Sequence, residues 1–379
     1  MVEMTDIREG FIHKNRIIIK IGSSTLTHAS GKLNYHRIEK LVMEIADLQN
    51  QGKQMILVTS AAVSAGMAPL GLSERPQNIR EKQALAAVGQ GVLMNIYEKM
   101  FRDYGQTVGQ ILLTRMDSYN RKNFMNLRNT LLTLLDMGVI PVINENDAVA
   151  IDELKIGDND TLSAIVASIV DADLLVILSD VDGLYTANPL THAEASVISQ
   201  VDEINKHIYD IAGGAGTSRG TGGMYTKIQA AAIAAASGVD MVIASGSEAD
   251  IIRRVCDGEV TGTLFKAKDT NLHTKKRWLV SGLRIHGSII VDKGCRDAIV
   301  EHGSSVLPVG VVDVIGDFGE GDIIEVSYDG LVVAKGIVNY DSGDVQRIKG
   351  VRTTKLSDIL GHDGCYEEVI HRDNLVVMQ

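Results

Sequence analysis

The sequence predicts an α/β fold in which a mostly parallel sheet is sandwiched by helices, followed by a second, smaller β-rich domain. Three observations carry this expectation. Apolar runs of strand length recur at 17–21, 55–58, 139–143, 174–178 and 241–244, the stretches between them read as helices, and the texture changes near residue 275. Continuous apolar runs, as opposed to strict alternation, suit strands buried on both faces. Two intervening stretches give the helices definite ends: 37–51 is periodic and closes at Gly52, and 122–137 closes at Gly138, where a glycine just past the last turn supplies a left-handed cap. Alternation of strand and helix then implies a parallel, helix-covered sheet. Beyond Lys275-Lys276-Arg277-Trp278, glycines punctuate short β-like segments at 288–291, 323–326 and 331–334, with no long amphipathic helix. The expected organisation is a first domain over 14–270, a linker over 271–284 containing the basic triplet, a second domain over 285–363 and a helix-like tail over 364–379.

Composition narrows the class. A chain of 379 residues with 22% charged and 45% apolar residues can bury a large core and is not extensively disordered. Its formal charge of -11 argues against a general nucleic-acid or anionic-membrane binder, so an anionic substrate would need local basic groups. Cys256, Cys295 and Cys365 are odd in number and far apart, which gives neither a disulfide framework nor a zinc site and favours a reducing, cytoplasmic setting. Residues 1–14 are polar and mixed in charge, unlike a signal peptide, and no apolar run approaches the roughly 20 residues of a membrane span.

The candidate chemistry lies where apolar strands run into polar turns. Ile17-Ile18-Ile19-Lys20-Ile21-Gly22-Ser23-Ser24 ends in a Gly-Ser turn whose backbone N–H groups can cradle phosphate oxygens, although the spacing of a Walker A loop is absent. Alternatively, Lys20 only ends an edge strand. Val58-Thr59-Ser60-Ala61-Ala62-Val63-Ser64-Ala65-Gly66 enters a run of small residues that lets either a ligand or a neighbouring backbone come close, and Ser60 is suited to donate to a carboxylate. Asn144-Glu145-Asn146-Asp147 follows a strand at the carboxyl edge where open α/β sheets bind ligands. In Gly157-Asp158-Asn159-Asp160, the plain reading makes Asp160 the N-cap of a helix over 161–170, which leaves Asp158 and Asn159 unexplained. Ser179-Asp180-Val181-Asp182-Gly183 lacks the ligand pattern of a calcium loop and is either a turn or a nucleotide contact. Glycines at 213, 214, 216, 220, 222 and 223 precede an alanine-rich helix beginning near Thr226, and Lys227 adds a positive charge to that helix start.

Taken together and in this order, these motifs resemble the amino-acid kinase family, specifically its branch that carries a C-terminal PUA domain. Asp182-Gly183-Leu184-Tyr185-Thr186 and Gly220-Thr221-Gly222-Gly223-Met224-Tyr225-Thr226-Lys227 are part of that match, and Gly303-Ser304-Ser305-Val306-Leu307-Pro308 lies in the PUA-like region. The resemblance implies the amino-acid kinase fold and ATP-dependent phosphorylation of the γ-carboxylate of L-glutamate, the first step of L-proline biosynthesis. It implies catalytic roles for Lys20, Lys227 and Asp160, with Asp160 orienting both lysines. Glutamate would be bound by Ser60, Asp147 and Asn159, with Asn144 and Asp158 beside them. ATP would be bound by Lys20, Gly22, Ser179, Asp180, Thr221, Gly222, Gly223, Met224, Tyr225, Thr226 and Lys227, with Mg2+ bridging its phosphates largely through waters. It further implies L-proline as feedback inhibitor, a homo-oligomer (dimer or tetramer), and glutamate-5-semialdehyde dehydrogenase as the pathway neighbour. Two positions depart from the family pattern: Ala61 stands where glycine is usual, and Asn188 where aspartate is common. PUA domains elsewhere contact RNA, but 285–363 holds seven Lys/Arg against thirteen Asp/Glu, the wrong sign for a phosphate-dominated interface.

Overall fold

The structure is a computed structural model that describes residues 8–72, 74–114, 121–149, 158–189, 191–192, 194–213, 223–268, 285–361, 366–372 and 375–378. It divides into two compact units, the first made of Met1–Tyr119 and Asn123–Asp269 and the second of Asn120–Lys122 and Thr270–Gln379. The eight strands of the first unit are β1 (Arg16–Ile21), β2 (Gln54–Val58), β3 (Val108–Leu113), β4 (Ile140–Glu145), β5 (Leu174–Ser179), β6 (Gln200–Val201), β7 (Asp240–Ser245) and β8 (Thr263–Phe265). They form one sheet in the order β3-β4-β2-β1-β5-β7-β8-β6. Every pairing from β3 across to β7 is parallel, and the hand changes only where β8 pairs antiparallel with β7.

The apolar runs have a direct physical meaning here. Along β1, Ile17, Ile19 and Ile21 enter the core on one face while Ile18 enters the core on the other, and β2 and β5 divide their side chains the same way. Helices Tyr35–Asn50, Ile79–Asp103 and Ile251–Cys256 cover the first face; Arg121–Asp136, Asn159–Ile169 and Met224–Ala236 cover the second. The two expected left-handed caps are present, with φ of 94° at Gly52 and 72° at Gly138. Because β1 pairs with both β2 and β5, it is an interior strand, so the alternative that Lys20 closes an edge strand does not hold.

The second unit has its own sheet, ordered β10-β9-β11-β12-β13, from β9 (Gly287–Val291), β10 (Val311–Gly316), β11 (Ile323–Tyr328), β12 (Leu331–Ile337) and β13 (Leu375–Val377). Two expectations need correction in it. A ten-residue helix, Lys293–His302, packs Ile299 into the core although its hydrophobic content is low. The stretch read as a helix-like tail instead supplies Val369, Ile370 and Leu375 to the core, and β13 pairs antiparallel with β12. No described helix is long and apolar enough to cross a membrane.

Candidate active site

The parallel strands β1, β2, β4, β5 and β7 present their carboxyl ends along one edge of the sheet, and the candidate residues gather there, where crevices of open α/β sheets form. Helix Asn159–Ile169 organises the cluster. Its N-cap is Asp158, whose Oδ1 accepts from the Thr161 N–H at 2.9 Å. The plain reading of Asp160 as the cap is therefore wrong by two residues, and Asp160 is left for another task.

Asp160 sits fully buried in the first helical turn, where a negative charge is favoured by the helix dipole. One carboxylate oxygen lies 2.5 Å from the Lys20 ammonium and the other 3.0 Å from the Lys227 ammonium. Lys20 reaches the triad from β1 and Lys227 from the first turn of helix Met224–Ala236; both are buried. Burial pushes the Asp160 carboxyl upward, but the two ammonium groups outweigh it and hold the group below the ordinary carboxylate range. Asp160 thus stays ionised at neutral pH, buried between the two lysine side chains. Gly22 follows directly: a side chain there would stand 3.3 Å from the Lys20 Nζ and press on it.

A second group adjoins the triad through the same helix turn. The Asn159 amide Nδ2 donates toward the Thr59 carbonyl at 2.6 Å, Ser60 Oγ at 2.8 Å and Asn144 Oδ1 at 3.0 Å. Asn144, buried at the end of β4, donates to Gln90 Oε1 at 2.9 Å and accepts from the Glu145 N–H at 2.9 Å. Since Ser60 Oγ accepts from Asn159, its own hydrogen remains available to donate. Asp158 Oδ2 is buried without a hydrogen-bond partner among the described residues, which in a site of this kind invites a cation. Asp147 lies in the turn that follows β4, three residues beyond Asn144.

Of the remaining predicted residues, the described ones lie at the end of β5 and at the start of helix Met224–Ala236. Ser179 closes β5, is buried and donates to Asp180 Oδ1 at 3.1 Å, while Asp180 itself is exposed. Gly223 caps helix Met224–Ala236, Thr226 Oγ1 donates to its carbonyl at 2.8 Å, and the Tyr225 ring stacks at a tilt on Tyr209. Thr221 and Gly222 lie outside the described residues. Sequence reasoning missed Gln90 and Tyr97, whose hydroxyl is 2.7 Å from Thr59 Oγ1. The readable signal for Gln90 was a polar residue on the buried stripe of helix Ile79–Asp103, between Leu85-Ala86 and Leu93.

A crevice at the carboxyl edge of a parallel sheet, with two buried ammonium groups held by one carboxylate beside an array of amide and hydroxyl groups, is built to bring two anions together. That is the class of a phosphotransferase acting on an acid. Residues 15–245 match the Amino acid kinase family and residues 287–360 match the PUA domain, and the chain belongs to the amino acid kinase family. Within it, curated relatives are glutamate 5-kinases. That of Caldanaerobacter subterraneus subsp. tengcongensis is 52% identical over 365 residues, covering 96% of this chain and 98% of the relative. Those of Moorella thermoacetica and Carboxydothermus hydrogenoformans are 51% and 50% identical, covering 96% and 98% of this chain and 96% and 100% of theirs.

Proposed function

We propose that this protein transfers the γ-phosphoryl group of ATP to the γ-carboxylate of L-glutamate, giving L-glutamyl 5-phosphate and ADP, the first step of L-proline biosynthesis. The observation that carries the reading is that one helix turn, Asp158-Asn159-Asp160, joins the two-lysine triad to the Ser60–Asn144–Asn159 group. A carboxylate oxygen attacks the γ-phosphorus, the bond to the bridging oxygen breaks, and ADP leaves with the electron pair. No proton has to move, so a general base is unnecessary and the work is electrostatic. Lys20 and Lys227 offset the repulsion between the reactants and stabilise charge developing on the equatorial and bridging oxygens. Asp160 holds both ammonium groups in position, and Gly22 leaves space beside Lys20 for a phosphate oxygen.

Ser60 donates to the substrate's α-carboxylate, while Asp158 Oδ2, Asp147 and the Asn159 carbonyl oxygen receive its ammonium. Ser179, Asp180 and residues 221–227 line the nucleotide. Magnesium, when bound, neutralises polyphosphate charge. Both Asp160 oxygens are taken by ammonium groups, so the ion would be held mainly by phosphate oxygens and water. Feedback inhibition by L-proline, assembly into dimers or tetramers, a cytoplasmic location and consumption of the acyl phosphate by glutamate-5-semialdehyde dehydrogenase complete the proposal.

Incubation with ATP, magnesium, L-glutamate and hydroxylamine is expected to yield the γ-hydroxamate, with ADP formed in equal amount. Product from another acid, with none from glutamate, overturns the substrate assignment.

A further inference from the structure

The amide groups of Gln90, Asn144 and Asn159 form a chain whose direction is set by the backbone. An amide N–H cannot exchange roles with its carbonyl, so the Glu145 N–H, 2.9 Å from Asn144, requires the Asn144 oxygen at that position. The Asn144 Nδ2 is then turned to Gln90, which must present its oxygen at 2.9 Å. At the other end, the Thr59 carbonyl oxygen, 2.6 Å from Asn159, requires the Asn159 nitrogen there. That nitrogen also faces Asn144 Oδ1 and Ser60 Oγ, leaving the Asn159 oxygen as an outward acceptor and the Ser60 hydrogen as an outward donor.

Gln90 therefore terminates the chain. It is 8% exposed, comes from helix Ile79–Asp103, and its Nε2 has no hydrogen-bond partner among the described residues. A buried amide that leaves two N–H donors unsatisfied is costly to keep, of the order of 1–3 kcal/mol per lost partner. For packing alone, a methionine or leucine would serve.

We infer that Gln90 is a positioning residue for the acid substrate: the backbone sets which way each amide points, and the Gln90 oxygen anchors the Asn144 Nδ2, which holds Asn144, and through it Asn159 and Ser60, in the place where they offer an acceptor to the substrate ammonium and a donor to its α-carboxylate. The inference rests on the proposed binding of an α-amino acid at this site. It needs only the Gln90 oxygen and makes no use of the Nε2 hydrogens.

Steady-state kinetics of Gln90→Met, Gln90→Glu, Asn144→Asp and the Gln90→Glu/Asn144→Asp double variant test it, with melting temperature recorded for each. Gln90→Met removes the oxygen and is expected to raise KM for glutamate on the order of tenfold while leaving KM for ATP within about twofold. Gln90→Glu still offers an oxygen to Asn144 whether ionised or protonated, so its KM for glutamate stays within about threefold of wild type. In Asn144→Asp the Gln90 amide can turn to donate, but in the double variant two carboxyl groups face each other. The double variant is thus expected to lose on the order of tenfold more in KM than the two single changes combined. Should Gln90→Met fail to fold, the cycle of the other three variants decides the matter. Equal KM increases in both Gln90 variants, additive effects in the cycle, or parallel losses toward ATP and glutamate overturn the inference. A wild-type enzyme that makes no γ-hydroxamate from glutamate would instead refute the substrate reading on which it stands.

Discussion

Asp160 illustrates how a single residue can be legible in type and misplaced in role. The pattern Asp158-Asn159-Asp160 marks a helix start, but two aspartates two residues apart both suit a cap, and only the fold shows that Asp158 takes it. Lys20 and Lys227 were readable because a lysine inside an apolar strand, or opening an alanine-rich helix, has few structural uses. Lys227→Ala leaves Asp160 paired with Lys20, so the variant is expected to stay folded by circular dichroism. Turnover should fall on the order of 100-fold or more in the hydroxamate assay, since charge stabilisation of the transferring group is lost. Ala61 has a backbone explanation that the sequence could not supply. It adopts φ of 75°, the left-handed region, which explains why glycine is usual at this position. Left-handed backbone costs a non-glycine residue roughly 1–2 kcal/mol, and glycine returns about 0.5–1 kcal/mol through the freer unfolded chain. Ala61→Gly is therefore expected to stabilise the protein by up to about 1 kcal/mol, read as a higher urea midpoint at unchanged slope.

At the scale of elements, the run of small residues after β2 serves the close approach of a neighbouring backbone, while its first serine belongs to the proposed site. Ser60 faces the site, whereas Gly66 meets a neighbouring backbone: a Cβ there would stand 2.1 Å from the Leu85 carbonyl oxygen, and one on Gly89 would stand 1.8 Å from that of Ala62. Helices Ala62–Met67 and Ile79–Asp103 therefore cross with glycine against glycine, and this close approach brings Gln90 and Tyr97 within reach of the strand ends. Gly89→Ala is expected to destabilise the protein by about 1–3 kcal/mol and to raise KM for glutamate, because the helix carrying Gln90 must shift. Chemical denaturation together with kinetics checks both effects. The strands of the first unit missed from sequence escape for two reasons. β3 is only half-buried and carries Gly109-Gln110, which interrupts its apolar run, while β6 and β8 are two and three residues long. Helix Lys293–His302 escaped notice because only a few apolar side chains, Ile299 foremost, anchor it.

For the whole molecule, the central strands were readable because burial on both faces makes their sequences continuously apolar, and the motif order then pointed to the family. The second unit was harder to read: its strands are punctuated by glycine, and its last strand lies far along the chain from its partner, so no local periodicity announces it. The triad joins parts of very unequal constraint. Lys20 belongs to a strand hydrogen-bonded on both sides, with Val58 and Ile177 as its neighbours, whereas Lys227 stands in the opening turn of a helix. One jaw of the proposed phosphate clamp is thus an anvil, fixed before any ligand arrives, and adaptation to nucleotide is expected to fall to the other. Deuterium uptake should register this asymmetry: the Lys20 amide is expected among the slowest to exchange with or without ATP, while added protection concentrates at 223–227.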